Sequence, residues 1–328
     1  MLNRIGQLFI TGYDGRTPSP EFLEFFESEG LGGVILFEEN ATPHRAAEDA
    51  IRTLATSSPS GVPFVAVDQE GGRVCRFRGA PAEYMAASEY GRKGDLNLYS
   101  EHFSRSAYYL HALGINLFLG PVADLGIESG NACLAGRTFG SSPASAIPFI
   151  EQTVKICHKI GLVACLKHFP GLGAARIDPH RELAVADYDS QTFFNREGLA
   201  FRAGIDAGVD MVMTTHLMLP KIDSSPAIAS EKIINRLLRK RLGFDGLVVT
   251  DDLFMKGCEQ LGDFGERAVK AFQAGHDLLL FGKDWRRTRE AVKYFKDTYL
   301  RGEISDERLK MSLERISGVK SKLAMPVL

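Results

Sequence analysis

Charged and imidazole side chains gather at five points in the chain, each where a short apolar run stops. They are Asp68-Gln69-Glu70-Gly71-Gly72-Arg73, Pro121 with Asp124, Lys167-His168, Thr214-Thr215-His216 and Asp251-Asp252. One Asp after a strand is commonly the N-cap of the next helix, and one His is commonly a satisfied core residue. Lys167, hard against an apolar run, resists that reading, because a buried ammonium is costly unless paired. Five such ends together point to a polar pocket. No His-x-x-x-His, Cys-x-x-Cys or carboxylate loop of metal-binding spacing occurs, so neither a metal nor a cofactor is expected. No Gly-x-Ser-x-Gly elbow or phosphate-binding Gly-x-x-x-x-Gly-Lys loop occurs either. Carboxylates, histidine, Lys and Arg remain, and that set suits sugar chemistry. A carboxylate attacks or stabilises an oxocarbenium-like centre while a protonated group releases the leaving oxygen. Charged side chains fork hydrogen bonds to adjacent hydroxyls.

The apolar runs that must position these groups are 7–12, 33–37, 63–68, 115–120, 162–167, 209–215, 247–251 and 277–281. They are near-continuously apolar, the pattern of parallel strands covered on both faces. Helical patterns lie between them, over 19–30, 42–56, 92–112, 145–160, 191–207, 230–243, 263–274 and 286–299. In 230–243, Ile233, Ile234, Leu237, Leu238 and Leu242 recur at spacings of three and four, with Lys and Arg on the opposite face. Thr42 and Pro43 read as a cap and a proline at the first helical position. Strand then helix, eight times over, predicts an α/β fold, a (β/α)8 barrel. Segment 69–91 reads as an inserted loop, 303–322 as a closing helix, and the tail from Ala324 as loose. A doubly wound sheet is disfavoured, because no Gly-x-Gly-x-x-Gly turn follows the first strand. No linker or low-complexity tract interrupts the chain, so residues 1–328 are expected to form one catalytic domain.

Of 328 residues, 39 are Lys or Arg and 41 Asp or Glu, a net charge of −2. That balance argues against a nucleic-acid binder, and 45% hydrophobic residues argue against disorder. Five scattered cysteines, Cys75, Cys133, Cys157, Cys165 and Cys258, fit neither a disulfide framework nor a zinc site, and are expected to be reduced and mostly buried. The start MLNRIGQLFITGYDG lacks the form of a secretory signal, and no run is long enough to span a membrane. A cytoplasmic monomer without nucleic-acid or membrane partners is the resulting expectation.

Asp68-Gln-Glu-Gly-Gly-Arg-Val-x-Arg76, Gly136-Arg-Thr-Phe-Gly140, Lys167-His-Phe-Pro-Gly-x-Gly173, Asp178-x-His180 and Val249-Thr-Asp-Asp-Leu253 occur in that order. From about residue 5 to 320 the chain resembles the family 3 glycoside hydrolases, specifically the β-N-acetylglucosaminidases of bacterial cell-wall recycling. The resemblance implies a barrel that removes non-reducing terminal N-acetyl-β-D-glucosamine from muropeptides with retention. It makes Asp251 the nucleophile and His180 the acid/base, with Asp178 as its partner. It makes Asp68, Arg76, Arg137, Lys167 and His168 the sugar-binding residues. Asp68 would chelate two hydroxyls, with Lys167 and His168 donating to oxygens on the same face. Imidazole suits the acid/base role at neutral pH, and a carboxylate on one nitrogen favours its protonated form. Asp252 is expected to support the loop or cap the next helix. Arg73 and Glu70 are read as structural charges, Arg73 paired with a nearby carboxylate.

The chain departs from the subfamily where Pro-Gly-His-Gly becomes Pro170-Gly-Leu172-Gly173, followed by Ala174-Ala175, and where Asp-Ser-His becomes Asp178-Pro179-His180. Proline fixes its own φ and pushes Asp178 toward an extended conformation, giving a stiffer loop. Gly171 and Gly173 read as its hinges. Thr250 replaces a serine before the nucleophile. Two other readings stay open: an N-acetylglucosaminide phosphorylase on the same residues, and a catalytically silent sugar-binding barrel. A β-glucosidase is disfavoured by Asp178-x-His180, because that branch of the family takes its acid from a later domain.

Overall fold

The computed structural model describes residues 1–128, 131–175 and 182–323. Its eight main strands are β1 Phe9–Thr11, β2 Gly33–Leu36, β3 Phe64–Val67, β4 Leu117–Phe118, β5 Val163–Phe169, β6 Met211–Thr214, β7 Leu247–Thr250 and β8 Leu279–Phe281. Each pairs in parallel with the next, and Phe9↔Leu279 joins β1 to β8. A single bridge, Val249↔Leu278, joins β7 to β8, so the sheet closes into the expected (β/α)8 barrel. Seven of these strands fall within the apolar runs, and β5 runs two residues past its own. Their burial on both faces is what the unbroken apolar pattern demands.

The surrounding helices are α1 Pro20–Glu29, α2 His44–Ser57, α3 Leu96–Ala112, α4 Pro143–Ile160, α5 Glu197–Asp206, α6 Lys232–Arg241, α7 Phe264–Ala274 and α8 Trp285–Leu300, with α9 Asp306–Lys320 closing the chain. Local chemistry sets their ends. Ser19 caps α1 ahead of Pro20, and capping boxes Ser142/Ser145 and Asp263/Glu266 open α4 and α7. Three expectations are corrected. Pro43 is itself the cap residue of α2, with ψ at 153°, so Thr42 lies outside the helix. Segment 191–207 splits at Arg196, whose φ of −137° and ψ of −89° break the helix beside its ion pair with Glu197. The sixth helix is π-wound, Leu242 N reaching Leu237 O at 2.9 Å. A turn wider than 3.6 residues stacks Ile233 over Leu237 and Ile234 over Leu238, and all four are buried.

The segment 69–91 is more ordered than a plain loop, holding a small antiparallel pair, Gln69–Gly71 with Val74–Cys75, and a helix at Ala87–Lys93. All five cysteines are free and buried, as expected. No helix among the described residues is long and apolar enough to cross a membrane. The tail from Ala324 lies outside the described residues.

Candidate active site

The two-residue period of the strands decides which side chains reach the barrel axis. Ala66, Asp68 and Glu70 share one row, Val163, Cys165 and Lys167 another, and Leu247, Val249 and Asp251 a third. The rows are apolar within the barrel and turn polar at its C-terminal mouth. There Asp68, Glu70, Arg76, Lys167, Asp251 and Asp252 border a cavity of about 350 Å³, floored by Ile35, Leu119, Met213 and Leu280. The cavity is of small-molecule size.

Lys167 is the hub. Its ammonium, 1% exposed, lies 2.6 Å from Asp68 Oδ1 and 2.7 Å from Glu70 Oε1. The pairing that its position demanded is therefore met. Burial alone would lower the Lys167 pKa, but the two carboxylates more than offset it and raise it. Burial would likewise raise Asp68, yet Lys167 and Arg76 hold its carboxyl below the usual range. Arg76 Nη2 sits 3.4 Å from Asp68 Oδ2, while its Nε is buried and has no acceptor among the described residues. A ligand oxygen would satisfy that donor.

Arg137 and His168 border the same cavity but are engaged differently from the expectation. Arg137 forks onto Glu70, donates from Nη1 to Cys133 O at 3.1 Å, and places Nη2 3.2 Å from His168 Nε2. The guanidinium can only donate, so His168 Nε2 is the acceptor and Nδ1 carries the proton. Nδ1 gives it to Asp124 Oδ2 at 2.5 Å. As placed here, His168 has no N–H left for a sugar hydroxyl, and Arg137 spends its donors on protein. Both frame the carboxylates rather than meet the cavity with free donors. Glu70 is held between two cations, Arg137 and Lys167. Burial would raise its carboxyl, and Arg137 and Lys167 reverse this and drive it far below the usual range. Arg73 is corrected: it donates to the carbonyls of Ala132, Cys133 and Ala135, not to a carboxylate.

Asp251 is half-buried and accepts from Thr215 Oγ1 at 3.5 Å and from Asp252 N at 2.8 Å. Asp252 Oδ1 accepts from Phe254 N and Gly282 N, both at 2.9 Å. It thus supports the loop as expected, and Asp263 rather than Asp252 caps the next helix. A Cβ on Gly282 would lie 2.5 Å from the Asp252 carboxylate, which explains the small residue there. Gly173 is also needed for packing, because a Cβ there would stand 1.8 Å from Leu125 O. Asp178, Pro179 and His180 lie outside the described residues.

The supporting roles of two residues are not evident from the sequence. Gln69 is buried between the site carboxylates and stitches their loop. Its amide donates to Phe77 O and Ala82 O, and its oxygen accepts from Arg76 N and Phe77 N. Asp124 was noticed only as a polar strand end; it also takes Leu172 N at 2.7 Å, fixing the turn after β5. Strand alternation held the one available clue, because it turns Gln69 away from the row of Asp68 and Glu70 into the loop behind.

A closed (β/α)8 barrel whose C-terminal mouth gathers carboxylates, Lys and Arg around a small polar cavity has the form of a glycoside hydrolase. The chain belongs to glycosyl hydrolase family 3, whose N-terminal domain it matches over residues 2–319, and it is a glycoside hydrolase. It is 34% identical over 268 residues to a β-hexosaminidase of Actinobacillus pleuropneumoniae serotype 3, covering 80% of this chain and 77% of that protein. It is 30% identical over 335 residues to β-hexosaminidase A of Pseudoalteromonas piscicida, covering 94% of this chain and 56% of that one. The family 3 β-N-acetylglucosaminidase of Paenibacillus sp. str. FPU-7 superposes with a TM-score of 0.96 at 30% identity, over 100% of this chain and 63% of that chain. The β-N-acetylhexosaminidase of Beutenbergia cavernae DSM 12333 superposes with a TM-score of 0.90 at 29% identity, over 98% of both chains. The chain thus spans less than two thirds of the Pseudoalteromonas and Paenibacillus proteins and nearly all of the Beutenbergia one.

Proposed function

We propose that this protein is a retaining exo-β-N-acetylglucosaminidase that removes terminal N-acetylglucosamine from peptidoglycan-derived muropeptides, with residues 1–328 acting as one catalytic barrel. The observation that carries the reading is the convergence of Asp251 with the Asp68–Lys167–Arg76 cluster on one cavity. The hexosaminidase names of the relatives support the substrate class. Asp68, kept ionised by its cations, accepts from two sugar hydroxyls, and Arg76 Nε donates to an oxygen beside them. Asp251 attacks the anomeric carbon as the bond to the aglycone oxygen breaks, and His180, oriented by Asp178, gives that oxygen its proton. The glycosyl–Asp251 ester is then hydrolysed by water that His180 deprotonates, restoring both groups. Five buried thiols suit a reducing compartment, and we assign the enzyme to cell-wall recycling in the cytoplasm.

The test is nitrophenol release from aryl N-acetyl-β-D-glucosaminide against the matching β-glucoside, for wild type and Asp251→Ala. Turnover of the N-acetyl substrate alone, abolished in the variant, is the expected result. Inactivity of wild type on both substrates, with sugar binding retained, would instead make the protein a silent binding barrel.

A further inference from the structure

The basic face of the segment 230–243 has no part in the site described above. It borders a second cleft, of about 370 Å³, at the opposite end of the barrel near the starts of β7 and β8. Arg239 and Lys240 of α6 meet Arg308 and Arg315 of α9 along its walls. Its wall carboxylates, Glu231 and Asp245, are exposed to water.

Beneath the cleft, Asp277 is fully buried and serves three guanidinium groups at once. Its Oδ2 lies 2.6 Å from Arg239, and its Oδ1 lies 3.2 Å from Arg315 and 3.5 Å from Arg308. It also accepts from Val248 N at 3.1 Å and Ser312 Oγ at 2.7 Å, so both oxygens are saturated. Arg239 spends further donors on Phe244 O and Gly246 O, and Arg308 on His276 O. Arg315 differs. It has one hydrogen bond, from Nη1 to Asp277, and its Nε and second Nη have no protein acceptor among the described residues. Three cations therefore share one buried carboxylate, and the fourth, Lys240, is exposed on the rim. Burial, with repulsion from the neighbouring guanidinium groups, lowers the pKa of both Arg239 and Arg308 despite Asp277. The cluster is short of negative charge.

We propose that this cleft binds a small phosphoryl-bearing anion, taken by the free donors of Arg315 with Lys240 at the rim. Guanidinium groups fork onto phosphoryl oxygens, and the cleft is of small-molecule size. The net charge of −2 sets the chain apart from binders of extended polyanions.

The test is calorimetric titration of the full chain, at low salt, with inorganic phosphate and with glycerol 2-phosphate. Saturable binding of at least one probe, weakened about tenfold or more in Arg315→Gln and kept in Arg76→Gln, is the expected result. The ester binding as well as phosphate would assign the site to phosphorylated metabolites; phosphate alone would assign it to the free ion. Should Arg315→Gln not fold, Lys240→Glu at the exposed rim replaces it, with the same direction of change. No saturable binding of either probe, or binding unchanged in the cleft variant, would overturn the proposal.

Discussion

Arg137 grips Glu70 with two hydrogen bonds, Nε to Oε2 at 2.7 Å and Nη2 to Oε1 at 2.8 Å. The pair is almost wholly shielded, with side-chain exposures of 10% and 3%. The pair ties Arg137 to the frame of the site, whereas Arg76 borders the cavity with a buried Nε that has no acceptor among the described residues. The two arginines should therefore fail differently. Arg137→Ala strands a buried carboxylate with Lys167 alone, at a cost of about 3 kcal/mol. Arg76→Ala should barely move stability and should lower kcat/KM about 10- to 100-fold, as expected for a lost charged hydrogen bond. Urea unfolding and steady-state kinetics on both variants separate the roles. Equal stability losses would remove the distinction.

Gln69 supplies two donors and an acceptor used twice, all to the loop that carries Arg76. No other side chain of its size offers that set. Gln69→Glu would turn a carboxylate oxygen toward the carbonyls of Phe77 and Ala82, costing about 2–3 kcal/mol. Because Arg76 N hangs from the same side chain, KM should rise together with the loss of stability. A variant destabilised by that amount with an unchanged KM would show that the loop holds Arg76 without Gln69.

The barrel was legible because its strands are buried on both faces, so unbroken apolar runs mark them directly. Lys167 was legible for the opposite reason: an ammonium beside such a run must find carboxylates, and Asp68 and Glu70 are there. The partners of Arg73 and Arg137 were not legible. Both are met by groups distant in sequence or by backbone carbonyls, which leave no mark in residue type. The helix break at Arg196 was equally hidden, since the buried pairing of Glu197 sets it rather than any Gly or Pro.

Acid stability should carry the signature of His276. The ring is fully buried, with Nδ1 2.8 Å from Ala271 O and Nε2 2.7 Å from Thr214 Oγ1. Burial pushes its pKa down from 6.5 to about 4. The unfolded chain then binds a proton that the folded one refuses, so stability is full above pH 6.5 and falls as pH drops toward 4. Between about pH 7.5 and pH 5 the loss should be roughly 2 kcal/mol. Urea midpoints across that range, compared with His276→Gln, isolate it. The variant should start lower and fall less steeply, and parallel curves would assign the acid sensitivity elsewhere.

Lys167→Met tests the electrostatics of the site with little change of volume. Without the ammonium, Glu70 keeps Arg137 at 2.7 Å, whereas Asp68 keeps only Arg76 at 3.4 Å. Burial and the Glu70 charge both raise Asp68, and with Lys167 gone Arg76 is left to oppose them. Asp68 is the group that should take up a proton, and a protonated Asp68 chelates sugar hydroxyls poorly. In the wild type its lowered pKa keeps it ionised throughout the neutral and mildly acidic range. The KM of Lys167→Met should therefore climb as pH falls from about 7.5 to 5, by about tenfold beyond any change in the wild type. The ratio of the two KM profiles cancels the titration of the acid/base, which both proteins share. A ratio that stays flat with pH would mean that Arg76 alone keeps Asp68 ionised, and that Lys167 serves the barrel wall rather than the charge of its neighbour.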